Sequence, residues 1–190
     1  MSNFNLNSSY GQLLAMQIAA AVGPVIGKIL VVVEDSDVSY VQEMMKQVFI
    51  PDADGMVRFY TTLDAAYAAA TSNANDVILM TAHSSHTITP IAWTKNRIHV
   101  IGMDGGDRLV QQGTKIQNST SDTAAYVIKV TGVRNSFRNL KFIQNSTNAA
   151  ALTVMQEGGE GNLWKNCSFV FGVADNLGGT TAHEVLAGSD

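Results

Sequence analysis

Two eight-residue stretches of this chain share one pattern. "NSFRNLKF" begins at residue 135 and "NLWKNCSF" begins at residue 162, and both place asparagine, apolar, basic and aromatic residues in the same order. A fold built from unrelated segments has no reason to repeat such a pattern, whereas a solenoid repeats it because each coil stacks on the previous one. The repeat therefore favours a solenoid.

A third stretch, "NRIHVIGM" at residues 96 to 103, can be aligned with the two octapeptides and completes three apolar columns. Parallel strands lie about 4.8 Å apart, so equivalent residues of successive coils stack and apolar columns form a continuous core. Asn139 and Asn166 fall at corners, where asparagine tolerates a left-handed backbone and hydrogen-bonds along the stack. The predicted columns are Ile98, Phe137 and Trp164; Ile101, Leu140 and Cys167; and Met103, Phe142 and Phe169.

A second repeat supports the same interpretation. "AYVIKV" from residue 125 and "ALTVMQ" from residue 151 align Tyr126 with Leu152 and Ile128 with Val154. Short apolar runs separated by Gly, Asn, Asp, Ser and Thr are typical of strands joined by tight turns. A β-sandwich also uses many short strands, but it would not keep columns of matched residues. The sequence predicts a mainly β fold, with a right-handed parallel β-helix at residues 77–190 that continues further or is capped by a partner.

Residues 28–76 alternate between strand-like and helix-like hydrophobic patterns, which predicts a small β-α-β-α cap before the solenoid. The apolar run at 28–33 is typical of a buried strand, "MVRFY" of a second strand, and "TTLDAAYAAATSN" of a helix with Thr62 as its N-cap. No glycine-rich turn follows the first strand, which argues against a dinucleotide-binding domain. A further helix between the two strands is predicted from apolar residues at helical spacing, namely Val38, Val41, Met44 or Met45, and Val48.

The longest apolar tract runs from Leu13 to Val33. A secretory signal would begin with basic residues, which "MSNFNLNSSYGQ" lacks, and Gly23 and Pro24 interrupt a membrane-spanning helix. Residues 1–27 are therefore predicted to be an N-terminal arm whose apolar helix either docks on a partner or packs on its own domain. The candidate partner-binding residues are Leu13, Leu14, Met16, Ile18 and Val22.

Composition excludes several classes of protein. Apolar residues make up 46% of the 190 residues, which suffices for a sizeable core, while only 15% are charged and the net charge is −4. Binding to nucleic acid requires many cations that neutralise phosphates, so neither nucleic acid nor a membrane is an expected partner. Cys167 is the single cysteine, which excludes an internal disulfide framework and a cysteine-rich zinc site. No cofactor is predicted.

Two polar clusters are weak candidates for a metal site. In "DGGDR", Asp104 and Asp107 beside Arg108 could hold calcium or a sugar acid, although Gly-Gly between acids is also an ordinary turn. His83 and His86 lack a neighbouring carboxylate or cysteine, so they do not predict a metal site.

Three basic residues are predicted to share an outward-facing column, as a contact for an anionic partner or glycan or as a solvated face. They are His99, Arg138 and Lys165.

The phrases "GKILVVV", "PDADGMVR", "TLDAA" and "NDVIL" carry a family resemblance over roughly residues 27–108. This part of the chain resembles tailed-phage and prophage proteins of the pectin-lyase-like parallel β-helix type. The stretch "MTAHSSHTI" departs from the Pro-Gly-His turn common in that group, so only His83 carries over. The resemblance implies a structural or decoration protein of the virion and supplies no catalytic residue.

Two functions therefore follow as expectations. The first is a non-enzymatic phage structural protein, such as a capsid decoration or head fibre. It would be located in the virion, attached to other virion proteins through its arm, and a homo-oligomer such as a trimer. The alternative is a tailspike-like β-helix that binds or cleaves a surface glycan. The scarcity of paired outward-facing acids favours the first, because glycan hydrolysis commonly uses two carboxylates.

Overall fold

The structure is a computed structural model. It describes residues 27–33, 57–81, 85–103, 113–148, 150–171 and 183–187, and these form parallel strands with one helix. The predicted arm, including Leu13, Leu14, Met16, Ile18 and Val22, lies outside them except for Gly27. The elements are β1 (Ile29–Val32), β2 (Val57–Tyr60), α1 (Leu63–Ala69), β3 (Asp76–Met80), β4 (Ser85–Ile88), β5 (Ile91–Trp93), β6 (Ile98–Gly102), β7 (Lys115–Asn118), β8 (Ile128–Val130), β9 (Ser136–Arg138), β10 (Lys141–Gln144), β11 (Thr153–Glu157), β12 (Leu163–Lys165), β13 (Ser168–Phe171) and β14 (His183–Ala187).

The strands form three parallel sheets that the chain visits in rotation. Sheet 1 has the order β2-β1-β3-β6-β9-β12, sheet 2 the order β4-β7-β10-β13, and sheet 3 the order β5-β8-β11-β14. Each coil from β3 onward contributes one strand to each sheet and then steps to the next row. This arrangement confirms the predicted parallel β-helix.

The residues before β3 extend the same architecture. β1 pairs with both β2 and β3, so the two predicted cap strands belong to sheet 1. The predicted helix is also present, and the hydroxyl of Thr62 accepts a hydrogen bond from the Ala65 N–H at 3.2 Å. Leu63 and Ala66 of α1 pack into the core on the inner face of the sheet.

The register confirms the alignment of the two octapeptides and corrects that of the third stretch. Trp164 lies opposite Phe137, and Phe169 lies opposite Phe142, as predicted. Opposite Phe137 on the other side, however, is Val100 and not Ile98. The predicted columns containing Ile98, Ile101 and Met103 are therefore wrong.

Backbone conformation explains the correction. Arg97 and Arg134 both have a left-handed backbone, with φ of 54° and 57°, and they hold equivalent places in successive coils. Asn135 accepts a hydrogen bond from the Ile98 N–H, which sets an offset of 37 residues. The sequence alignment instead matched Asn96 with Asn135, and that match shifted every column of this coil.

The alignment of the second repeat is also wrong, by a single residue. Ile128 lies opposite Met155 and not Val154. Such a slip normally moves a strand's apolar side chains to the other face. Here Val127 and Ile128 are both buried, as are Val154 and Met155. Consecutive buried residues leave the apolar pattern unable to select the register, and the pairing of Tyr126 with Leu152 fails for the same reason.

Aromatic rings run through the core along the solenoid. The ring of Tyr67 in α1 stacks on Trp93 with centroids 4.1 Å apart, and Trp93 meets the edge of Phe137 at 5.2 Å. Phe137 stacks on Trp164 at 4.1 Å with an angle of 10° between the planes. α1 therefore packs on the first coil, which consists of β3, β4 and β5, and the stacked rings connect α1 to the later coils. In the described part of the chain, no helix is long and apolar enough to cross a membrane.

Candidate anion-binding surface

Successive residues of β9 and β12 point alternately inward and outward, and this alternation places one pair of basic side chains on the outer face of sheet 1. Phe137 and Trp164 face the core, so their neighbours Arg138 and Lys165 face outward. Arg138 and Lys165 are register partners. Two of the three predicted basic residues therefore lie in one outward column on adjacent coils.

His99 does not belong to that column. It lies opposite Ser136, and the residue opposite Arg138 is Ile101. The predicted three-membered stripe is therefore wrong at His99, because the coil containing β6 was aligned two residues out of register. His99 and Arg138 still occupy the same outer face of sheet 1.

The imidazole of His99 is enclosed and uncharged. The residue is 9% exposed, and its Nδ1 lies 2.8 Å from the hydroxyl oxygen of Ser136. Burial lowers the pKa of His99 below its ordinary value of 6.5, and the positive charge of Arg138 lowers this pKa further. At neutral pH the ring is therefore neutral, so His99 contributes hydrogen bonding and not charge to this face.

A tight corner joins sheet 1 to sheet 2. Asn139 and Asn166 hold left-handed backbone conformations there, with φ of 56° and 52°. Asn166 donates a hydrogen bond from its side-chain amide to the side-chain oxygen of Asn139 at 3.2 Å, and Asn139 donates to the Gly102 carbonyl at 3.5 Å. These contacts confirm the predicted role of the two asparagines.

A second pair of cations lies just past this corner, and sequence reasoning missed it. Lys141 of β10 is the register partner of Lys115 of β7. The next residues along, Phe142 and Ile116, are buried in the core, so the two lysines face outward from sheet 2. A signal was present in the sequence, because "KIQN" and "KFIQ" both begin with lysine and an apolar residue and both end with a side-chain amide.

Arg138, Lys165, Lys115 and Lys141 together define the basic corner. Lys165 is exposed, and Lys115 and Lys141 are half-buried. Two carboxylates in other parts of the described structure accept hydrogen bonds from groups of the chain itself. Asp76 accepts hydrogen bonds from two backbone N–H groups. Glu157 accepts from the indole N–H of Trp164 and from other donors. The basic corner thus brings four basic residues together although the chain's net charge is −4.

Other predicted sites fall outside this surface. Asp104, Asp107, Arg108 and His83 lie outside the described residues. His86 lies in β4 and is 2% exposed. Within the ranges that the structure describes, no group of three or more His, Cys, Asp or Glu residues is placed to hold a metal ion.

The chain has a parallel β-helix fold that is similar to those of two solved pectin methylesterases. One, PemA from Erwinia chrysanthemi, has a TM-score of 0.52 and 15% identity, covering 84% of this chain and 45% of that one. The other, a mutant pectin methylesterase in complex with a hexasaccharide, has a TM-score of 0.51 and 14% identity, covering 76% of this chain and 43% of that one. No known protein family and no curated protein sequence matches the chain.

This likeness corrects one expectation drawn from the sequence. The chain was expected not to be an enzyme, but both solved neighbours of its fold are enzymes. A shared fold at this level of identity assigns no reaction, yet it removes the ground for excluding catalysis. The chain spans less than half of either neighbour's length.

Proposed function

We propose that this chain is the β-helix of a carbohydrate-active protein and that its basic corner binds an acidic polysaccharide. The observation that carries the proposal is the basic corner itself, with two register-paired columns of cations on adjoining sheets. A linear acidic glycan is a row of negative charges. Cations repeated at the coil spacing of about 4.8 Å can contact several of these charges along one strand of glycan.

The chemistry of the side chains suits such a ligand. The lysines act as mobile point charges toward the carboxylates of such a glycan, whereas Arg138 is half-buried on the same outer face as Lys165. Leu163 is 44% exposed and lies two residues before Lys165 in the same strand, on the same outer face. An exposed apolar side chain beside cations offers a surface for the apolar face of a sugar ring.

The finer expectation concerns where such a protein acts. As a component of a phage virion, it would present the basic corner to anionic polysaccharide on the host surface. Support for this setting comes from the resemblance of residues 27–108 to tailed-phage proteins. Immunogold electron microscopy of purified particles tests it, since labelling at the capsid or at the tail is expected and unlabelled particles would contradict it.

The binding test compares an acidic glycan with its neutralised form. Polygalacturonate is expected to bind, methyl-esterified pectin to bind more weakly, and dextran not to bind. The double variant Lys115→Ala/Lys141→Ala should weaken binding of polygalacturonate by about 3-fold to 30-fold, since each exposed cation is worth up to about 1 kcal/mol. Added salt should reduce the difference between the variant and the unmodified protein.

The matched control removes two positive charges elsewhere. Lys28→Ala/Lys129→Ala makes the same change in net charge, and Lys129 lies in β8 of sheet 3. This control should retain its affinity. Equal losses in both double variants would mean that only net charge matters, and equal binding of dextran would refute recognition of acid groups. Released methanol, new reducing ends and unsaturated products are measured on the same samples, because each identifies a different reaction on the bound glycan.

A further inference from the structure

A row of linked polar side chains crosses the outer face of sheet 2 beside the lysines of the basic corner. Gln117 follows Lys115 by two residues in β7, so both side chains leave the sheet on its outer side. The Gln117 side-chain N–H donates to the Thr87 hydroxyl in β4 at 3.3 Å, and the side-chain amide of Asn145 donates to the Gln117 side-chain oxygen at 3.0 Å. Thr87, Gln117 and Asn145, which lie on successive coils, form the amide row.

The hydrogen bonds of the amide row hold Gln117 in one orientation. Its neighbour Asn145 is itself fixed, because the Asn145 backbone N–H donates to the side-chain oxygen of buried Asn118 at 2.8 Å. A side-chain amide has two N–H donors and an oxygen with two lone pairs. The two hydrogen bonds within the row use one donor and one lone pair of Gln117, and the half-buried side chain keeps the other donor and lone pair for a ligand. A side chain that is already oriented loses less conformational entropy on binding.

An apolar side chain completes this part of the surface. Ile143 of β10 is the register partner of Gln117, as Lys141 is of Lys115, and Ile143 is half-buried on the same outer face. These four residues form a rectangle of about 4.8 Å between the strands and about 6.6 Å along them. The cations occupy one end of the rectangle, and the amide and the apolar side chain occupy the other.

A uronic acid has a matching arrangement of groups. Its carboxylate is attached on one side of the ring, and two neighbouring hydroxyls are attached on the opposite side. A hydroxyl both donates and accepts hydrogen bonds, so two neighbouring hydroxyls satisfy the remaining donor and lone pair of one amide. With its carboxylate toward Lys115 and Lys141, the ring would place its hydroxyls at Gln117 and its apolar face on Ile143.

We infer that Gln117 is a specificity-determining residue, which recognises the ring hydroxyls of the acidic glycan while Lys115 and Lys141 attract its carboxylates. The inference rests on the proposed function, because both groups of residues act on the same sugar. The lysines attract any polyanion. The amide row adds discrimination, since a polyanion without hydroxyls leaves its polar groups without a partner in the ligand.

The test compares polygalacturonate with polyacrylate, which carries carboxylates but no hydroxyls. Gln117→Met keeps the length of the side chain and removes the amide. This variant should bind polygalacturonate about 3-fold to 15-fold more weakly, as expected for one or two lost hydrogen bonds, and should bind polyacrylate unchanged. The double variant Lys115→Ala/Lys141→Ala should bind both polymers more weakly. Gln156→Met is the matched control, because this amide of sheet 3 also donates to a threonine hydroxyl, that of Thr153 at 3.2 Å. It should bind both polymers unchanged.

The outcomes separate this inference from the proposed function. Unchanged affinity of Gln117→Met for polygalacturonate, or an equal loss for both polymers, would overturn the role of Gln117. The proposed function would still stand if the double lysine variant lost affinity. A failure of the unmodified protein to bind polygalacturonate would overturn the proposed function itself.

A second measurement changes the ligand and keeps the unmodified protein. Acetylation of the ring hydroxyls of polygalacturonate removes their donors and retains the carboxylates. The acetylated polymer should bind the unmodified protein about 3-fold to 15-fold more weakly, and it should bind Gln117→Met as well as the unacetylated polymer does. Equal affinity of the unmodified protein for the two polymers would overturn the inference, even if Gln117→Met fails to fold. An equal loss in both proteins would also overturn it.

Discussion

Removing the side chain of Phe137 should destabilise the protein strongly, because its ring is buried among other aromatic rings. The ring is 1% exposed and contacts Trp93, Phe142 and Trp164. Emptying a buried aromatic site costs about 3–5 kcal/mol, and stacked or edge-on ring pairs add about 0.5–1.5 kcal/mol each beyond burial. We therefore expect Phe137→Ala to lower the free energy of unfolding by about 4 kcal/mol or more.

Urea titration followed by circular dichroism measures this loss. With a slope of about 2 kcal/mol per molar urea, the midpoint should fall by roughly 2 M. Trp164→Ala is the informative comparison, because Trp164 is only partly buried and should lose about half as much. Lys165→Ala is the surface control and should change stability by less than about 0.5 kcal/mol. Equal effects of Phe137→Ala and Lys165→Ala would refute the inward orientation of Phe137 and the register built on it.

Three further predictions follow from the corner and the buried titratable groups. Asn139→Ala should cost about 1–2 kcal/mol in a urea titration, because alanine adopts φ of 56° less readily than asparagine and lacks the amide oxygen that accepts from Asn166, whereas Asn139→Gly should lose less. The pKa of His99 is lowered in the folded protein, so the unfolded chain binds a proton more readily. The stabilisation that depends on a neutral His99 is therefore fully present above about pH 6.5 and declines as the pH falls below that value. The urea midpoint of the His99→Asn variant should decline less over the same pH range. For Cys167, whose pKa burial raises to about 11, labelling at about pH 8 should be at least 100-fold slower in the folded protein than in urea, and equal rates would contradict its burial.

The fold was predictable because stacked coils require similar residues to recur at similar spacing along the sequence. The repeated octapeptide predicted the pairing of Phe137 with Trp164 and the ladder of Asn139 and Asn166, and both are present. One strand, β5 at Ile91–Trp93, escaped detection because it has only three residues and follows Pro90. Its Trp93 is nonetheless fully buried at the centre of the core. Short strands carry too little periodicity to be recognised without their neighbours in the stack.

The candidate surface was harder to predict than the core. Arg138 and Lys165 were found because they belong to the repeat, but His99 was placed in their column through a register error. Lys115 and Lys141 belong to a strand pair whose repeat is only a few residues long. Outward-facing residues do not share one chemistry from coil to coil, since packing does not constrain them. Their spatial grouping depends on the register, which the left-handed corner residues set.

The length of chain between successive rows of sheet 1 varies although the rows themselves stay aligned. Asp76 pairs with Ile98, His99 with Ser136, and Ser136 with Leu163, so the coils differ in length while each adds one strand to the sheet. Extra residues must then leave the stack at its corners, where they do not disturb the columns. Such a fold can exchange or lengthen its corner segments independently of its core. Adding one coil would lengthen the basic corner by about 4.8 Å and extend the surface offered to a long ligand by one more contact.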